Sequence, residues 1–135
     1  MKIAVYCRFL KPEHIPVVQQ LFDILHKKAV DLYIYQDYYD TFKGRIKLQQ
    51  NFSCFKTHED FAAIVPDFLI TLGGDGTILD TVTIVRDTNV PVMGVNLGRL
   101  GFLAMIEKTR LEMAINALEQ NAFVVDERSL LYLES

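Results

Sequence analysis

The sequence predicts an α/β chain: an open, mostly parallel sheet with helices on both faces. Three observations carry this. Short apolar runs rich in β-branched residues recur at KIAVYC (2–7), VDLYIY (30–35), DFLITL (67–72) and PVMGVN (91–96). Between several of them, apolar residues fall at helical spacing, and alternation of the two periods is the pattern of parallel strands joined by crossover helices. Glycines cluster directly after the last two runs, at Gly73, Gly74 and Gly76 and again at Gly98 and Gly101. They mark turns at the edge where parallel strands end.

Each element has its own justification. After the first strand, Pro12 precedes Ile15, Val18, Phe22 and Leu25, one face of a helix. VDLYIY is read as the second strand, and the polar stretch from Gln36 to about Asn51 gives no clear period beyond a helix with an irregular lead. Thr57 with Asp60 fits a helix cap, and Tyr33, Tyr35, Tyr38 and Tyr39 suit strand and edge packing better than a platform for stacked bases. DFLITL and PVMGVN then read as the third and fourth strands. Thr77 with Asp80 has the capping-box pattern, followed by Ile78, Leu79, Val82 and Val85 as one helical face. Thr109 with Glu112 repeats the pattern before Leu111, Ala114, Ile115 and Leu118, spaced as a buried face. The tail AFVVDERSLLYLES (122–135) reads as one or two strands with nothing following to pair with them. An apolar edge of that kind is an aggregation hazard, so we expect residues 1–121 to form a nucleotide-binding domain and 122–135 to begin a second, β-rich domain.

Composition narrows the functional classes. The chain has 135 residues, half of them apolar, enough for an independent core. Fourteen basic residues against seventeen acidic ones, without a run of one sign, argue against a nucleic-acid footprint. Cys7 and Cys54 match no metal or redox spacing, and His14, His26 and His58 share no spacing with other ligands, so no zinc site is expected. The start MKIAVYC carries no long apolar segment, which points to the cytoplasm and away from a membrane.

TLGGDGTIL (71–79) holds the chemistry. Gly73, Gly74 and Gly76 permit close backbone approach, and N–H groups opening a helix near Thr77 suit a phosphate. No Lys follows the last glycine and Leu79 stands where a third glycine would complete GxGxxG, so the common nucleotide loops are not matched. Asp75, among the glycines, would repel a phosphate unless it handles a hydroxyl proton or a divalent metal such as Mg²⁺. The plain alternative is Asp-Gly turn chemistry. In NLGRLGFLA (96–104), Arg99 can meet phosphates and Phe102 can pack on a base or nicotinamide, while Leu97, Leu100 and Leu103 suit a core.

Taken together, GGDGTIL (73–79) and PVMGVNLGRLGFL (91–103) resemble the two signatures of the NAD kinase family, with the separation expected between them. The first alone would also suit phosphofructokinases and diacylglycerol kinases. The second singles out NAD kinases. The resemblance runs from the start MKIAVYCR to the dipeptide Glu127-Arg128 and implies a Rossmann-like, phosphofructokinase-like nucleotide domain. It implies transfer of the γ-phosphoryl of ATP, with Mg²⁺ or another divalent metal, to the adenosine ribose 2′-hydroxyl of NAD. Asp75 would match the catalytic aspartate, Gly74 and Gly76 the phosphate-facing backbone, and Phe102 the aromatic against the dinucleotide; Asn96 and Arg99 match motif positions. The family's second, β-rich domain and its Asn-Glu or Asn-Asp motif for the NAD ribose do not follow here, so we expect this stretch alone to be inactive. The expected partners are small-molecule nucleotides and, for the full-length protein, further copies of itself. Another GGDG-type kinase acting on a lipid or sugar phosphate, and a non-catalytic nucleotide-binding module, are the competing classes.

Overall fold

In the computed structural model, which describes residues 1–98, 106–121, 123–125 and 130–133, the β-branched and aromatic runs become strands side by side. They are β1 (Lys2–Tyr6), β2 (Asp31–Tyr35), β3 (Phe52–Phe55), β4 (Phe68–Gly73) and β5 (Val92–Asn96). Their order is β3-β2-β1-β4-β5, and every neighbouring pair is parallel. The short strand β6 (Ile106–Glu107) pairs with the C-terminal end of β5, where Val95 faces Ile106. In the tail, β7 (Phe123–Val125) runs antiparallel to β8 (Leu130–Leu133), and β8 lies parallel to the start of β5, Val92 facing Leu130. The tail strands therefore extend the sheet.

The sheet is covered on both sides, which is why its central strands β1, β4 and β5 are almost continuously apolar and buried instead of alternating with polar residues. Ile3 and Val5 of β1 share one core with Leu32, Ile70 and Val95, against α1 (Ile15–Lys27), α2 (Gln36–Phe42) and α6 (Leu111–Glu119). Ala4 and Tyr6 point the other way, toward α3 (His58–Ile64), α4 (Asp75–Asp80) and α5 (Val82–Val85). Val18, Phe22 and Leu25 bury the inner face of α1, with Ile15 partly buried beside them, and Leu111, Ala114, Ile115 and Leu118 that of α6, as their spacing predicts; Leu21 joins the α1 face.

The structure departs from the sequence reading in five places. FSCF forms β3, so DFLITL is the fourth strand and PVMGVN the fifth. Only α2 emerges from the unclear stretch after Gln36, and it buries Tyr38 and Phe42 completely. The cap of α4 is Gly74; Thr77 lies buried inside the helix without capping it. The run then breaks at Thr81, whose hydroxyl donates to the Ile78 carbonyl at 2.6 Å, a back-bond that bends helices. The break splits the expected apolar face: Ile78 and Val85 are buried, while Leu79 and Val82 stay 61% and 64% exposed. A 3₁₀ turn (Lys108–Arg110) leads into α6, which carries no side-chain cap from Thr109. The capping box at Thr57 is borne out: its hydroxyl accepts from the Asp60 N–H at 3.1 Å, and the Asp60 carboxylate accepts from the Thr57 N–H at 3.2 Å.

Of the tyrosines, Tyr33 and Tyr35 lie on strand β2 as expected, whereas Tyr38 and Tyr39 lie on α2, with Tyr38 wholly buried in the core. Tyr35 meets Tyr6 at 4.7 Å and Phe55 at 5.7 Å between ring centroids, and Tyr39 meets Phe52 at 5.0 Å. Phe42 lies at the centre of a second aromatic group, 5.5 Å from Phe22, 4.9 Å from Tyr38 and 5.4 Å from Tyr39. Phe42→Ala should therefore cost about 3–5 kcal/mol, measured by urea unfolding. A loss below about 1 kcal/mol would contradict the place of α2 in the core.

Candidate functional site

In this strand order the chain leaves β1 toward β2 and β3, then returns across the sheet to β4. The carboxyl ends of β1 and β4 therefore border a topological switch point, where open α/β sheets receive ligands. A cavity of about 350 Å³ lies there, lined by Arg8 and Lys11 after β1, by Gly73 at the end of β4 and Gly74, Gly76 and Thr77 after it, and by Asn96 of β5. Five of the residues singled out from sequence thus share one cavity. Asp75 is the first residue of α4 and half-buried, set between Gly74 and Gly76. Arg99, Gly101 and Phe102 fall outside the described residues.

Backbone pairing joins the two glycine segments. Gly73 is the register partner of Asn96, and the Leu97 N–H donates to the Gly73 carbonyl at 3.1 Å. The Asn96 side-chain oxygen then accepts from the Gly98 N–H at 3.0 Å, a local turn that Asn forms readily. Gly73 has φ +148°, and a Cβ there would lie 2.4 Å from Thr77 Oγ1. Only glycine allows both the dihedral and that approach. Gly74 is extended, with open space around its α-carbon, and its carbonyl accepts from the Thr77 N–H at 3.1 Å.

A second group of residues was not legible as functional. Arg8 forms a two-pronged ion pair with Asp80, Nε to Oδ2 at 2.5 Å and Nη2 to Oδ1 at 2.9 Å. Nη2 also donates to the Gly76 carbonyl at 3.2 Å, and the Tyr6 hydroxyl donates to Asp80 Oδ2 at 3.1 Å. The hydrogen bonds from Arg8 hold the Asp80 carboxyl below its ordinary range, and burial together with Asp80 pushes the Tyr6 hydroxyl well above its own. Burial likewise pushes the Cys7 thiol up to about 11, so this cavity-lining sulfur stays a neutral thiol at pH 7. The sequence reads Asp80 only as a cap residue; the available signal is Arg8, the first charged residue after the first strand.

A wider groove of about 720 Å³ opens on the other side of this ion pair, bordered by Tyr35, Lys56, His58 and Arg86 and sharing Arg8 and Gly76 with the first cavity. Its aromatic floor is the Tyr6–Tyr35 contact. His58 Nδ1 lies 2.7 Å from the Ile84 carbonyl, a structural link between α3 and α5. Among the described residues no three His, Cys, Asp or Glu side chains form a group that could hold a metal ion. Among them, too, no helix is long and apolar enough to cross a membrane.

Comparison with known proteins matches the ATP-NAD kinase N-terminal domain model to residues 3–123. The NAD kinase of Cytophaga hutchinsonii is 35% identical over 136 aligned residues, covering 100% of this chain and 46% of that protein. That of Christiangramia forsetii is 30% identical with the same coverage. The chain thus spans about half the length of the curated relatives it matches. In three dimensions it superposes on yeast NADH kinase complexed with NADH with a TM-score of 0.72 at 23% identity, covering 92% of this chain and 40% of that one. At that identity the likeness establishes the fold.

The glycine geometry predicts an asymmetry. Gly73→Ala should destabilise the protein by roughly 1–3 kcal/mol or more, from the strained dihedral and the contact with Thr77. Gly74→Ala should cost about 1 kcal/mol at most, the difference between two residues at a helix N-cap. Thermal unfolding of both variants checks this, and equal losses would contradict it.

Proposed function

This chain belongs to the ATP-NAD kinase N-terminal domain family, and from that premise we propose that its protein transfers the γ-phosphoryl group of ATP to the adenosine ribose 2′-hydroxyl of NAD, giving NADP and ADP. The observation that carries the reading is the pairing of β4 with β5, since Gly73 opposite Asn96 brings the first glycine turn and the start of the second segment, Asn96 to Gly98, to one cavity at the switch point.

The 2′-oxygen attacks the γ-phosphorus, a new O–P bond forms, and the bond to the bridging oxygen of the departing ADP breaks. Asp75 accepts the proton that the hydroxyl loses. Backbone N–H groups around Gly73, Gly74, Gly76 and Thr77 face the phosphates, because a chain without Cβ atoms lets them approach closely. Asn96 and Arg99 border the dinucleotide, and Phe102 lies against it. Rate then comes from alignment and charge stabilisation, as phosphoryl transfer requires.

The divalent ion is read as part of the donor, Mg²⁺ carried by the ATP phosphates. Asp75, set among the glycines at the start of α4, would be the carboxylate near the ion, and oxygen donors of this kind are typical of Mg²⁺ on nucleotides. Segment 122–135, whose strands join the sheet beside β5, is where we propose that the chain passes into a β-rich second domain supplying the other wall of the site. We further place the protein in the cytoplasm, as a homo-oligomer. Residues 1–135 alone should fold but show no NAD phosphorylation, since one wall cannot orient a ribose.

Label transfer from γ-labelled ATP, offered NAD, diacylglycerol and fructose phosphate in parallel, tests the assignment with protein from the whole reading frame. Label on NAD alone is expected, and label on either other acceptor instead would overturn it. Asp75→Asn should lower kcat on the order of 10²- to 10⁴-fold with a much smaller change in KM for either nucleotide. Near-normal turnover would return Asp75 to turn chemistry.

A further inference from the structure

We propose that Arg8 contacts the transferred phosphoryl group directly, and that Asp80 and Tyr6 are positioning residues that aim it. The proposal rests on the function assigned above and adds a phosphate-binding side chain from outside both glycine segments.

Geometry carries it. Asp80 takes the Nε and Nη2 edge of the guanidinium, and the second Nη2 proton goes to the Gly76 carbonyl. Nη1, with two protons, has no hydrogen-bond partner among the described residues, and the side chain is 52% exposed. A Cβ on Gly76 would come within 3.1 Å of Nη2 and 3.3 Å of Nη1, so the guanidinium lies flat across the glycine turn in space that a side chain would fill. Arg8 and Gly76 also line both cavities. A group passing from a nucleotide in one to a nucleotide in the other passes this junction.

An exposed ion pair contributes about 0–1 kcal/mol to stability, which is a weak reason for so ordered an arrangement. As an aiming device it makes more sense. A planar fork held on one edge presents its other edge at a fixed angle, the geometry in which Arg recognises phosphate oxygens. Asp80 cancels the charge of Arg8, so net attraction for a polyphosphate falls to Lys11 in the first cavity and to Lys56 and Arg86 in the second. Arg8 supplies direction: donors placed before the reaction on the oxygens where charge gathers. Tyr6 holds Asp80 Oδ2 from below and limits the swing of the fork.

The test combines binding and turnover in the whole protein. Inorganic tripolyphosphate should bind at least tenfold more weakly to Arg8→Ala than to wild type, measured by calorimetry. NAD phosphorylation by Arg8→Ala should fall on the order of 10²- to 10³-fold in kcat, with KM for NAD changed less than threefold, and added millimolar guanidinium should restore part of the rate. Asp80→Asn and Tyr6→Phe should lower kcat less, since each loosens the aim and keeps the donor. Arg8→Lys, which keeps the charge, is the variant to read if Arg8→Ala does not fold, and its kcat should also fall at least tenfold. Tripolyphosphate affinity and kcat both within threefold of wild type, in either Arg8 variant that folds, would overturn the proposal. A wild-type protein that leaves NAD unlabelled but loses tripolyphosphate affinity on Arg8→Ala would support Arg8 as the phosphate ligand and overturn the NAD assignment.

Discussion

The pairing of β4 with β5, in the register that sets Gly73 opposite Asn96, is the constraint on which the rest of the site depends. Parallel strands bring all their carboxyl ends to one edge, and right-handed crossovers keep the connecting helices off it. A shift of one residue along β5 would turn its apolar side chains to the opposite faces. Because Met93 and Val95 belong to one core and Val92 to the other, both cores oppose that shift. The position of Asn96 against the glycine turn is therefore paid for by packing far from the site.

The same arrangement explains where the molecule is tight and where it is open. Ile3, Val5, Ile34, Ile70 and Leu72 are wholly buried beneath the edge, a rigid base for the turn above them. Thr71, two residues before Gly73, is equally buried, and its hydroxyl has no hydrogen-bond partner among the described residues. Above the edge the packing thins: α4 and α5 have six and four residues, and their outer apolar side chains stay exposed. Here the Arg8–Asp80 fork adds a polar link between α4 and the end of β1 to the burial of Ile78 beside Ala4 and Tyr6.

How much of this could be read from sequence follows from the range of the interactions involved. Long periodic segments were legible: the face of α1 repeats over thirteen residues, and β4 is nearly continuous in apolar side chains. β3 escaped because FSCF is four residues long with polar positions inside it, and it takes its identity from pairing with β2. The break at Thr81 escaped because the hydroxyl that bends the chain sits in an otherwise regular helical pattern. In the site, the glycine segments were legible because their chemistry is local, down to the dihedral at Gly73. The link between Arg8 and Asp80 was not, since 72 residues separate them and only the adjacency of β1 and β4 brings them together.

We propose that both glycine segments and the end of β1 form one nucleotide site. Backbone amide chemical shifts followed during titration with ATP, and then with NAD, test it most directly. The amides of Gly74, Gly76, Thr77, Leu97 and Gly98, with that of Arg8, should shift together and fit a single dissociation constant for each nucleotide. Shifts confined to the opposite edge of the sheet, around Lys2, Asp31 and Asp67, or separate constants for the two glycine segments, would contradict it.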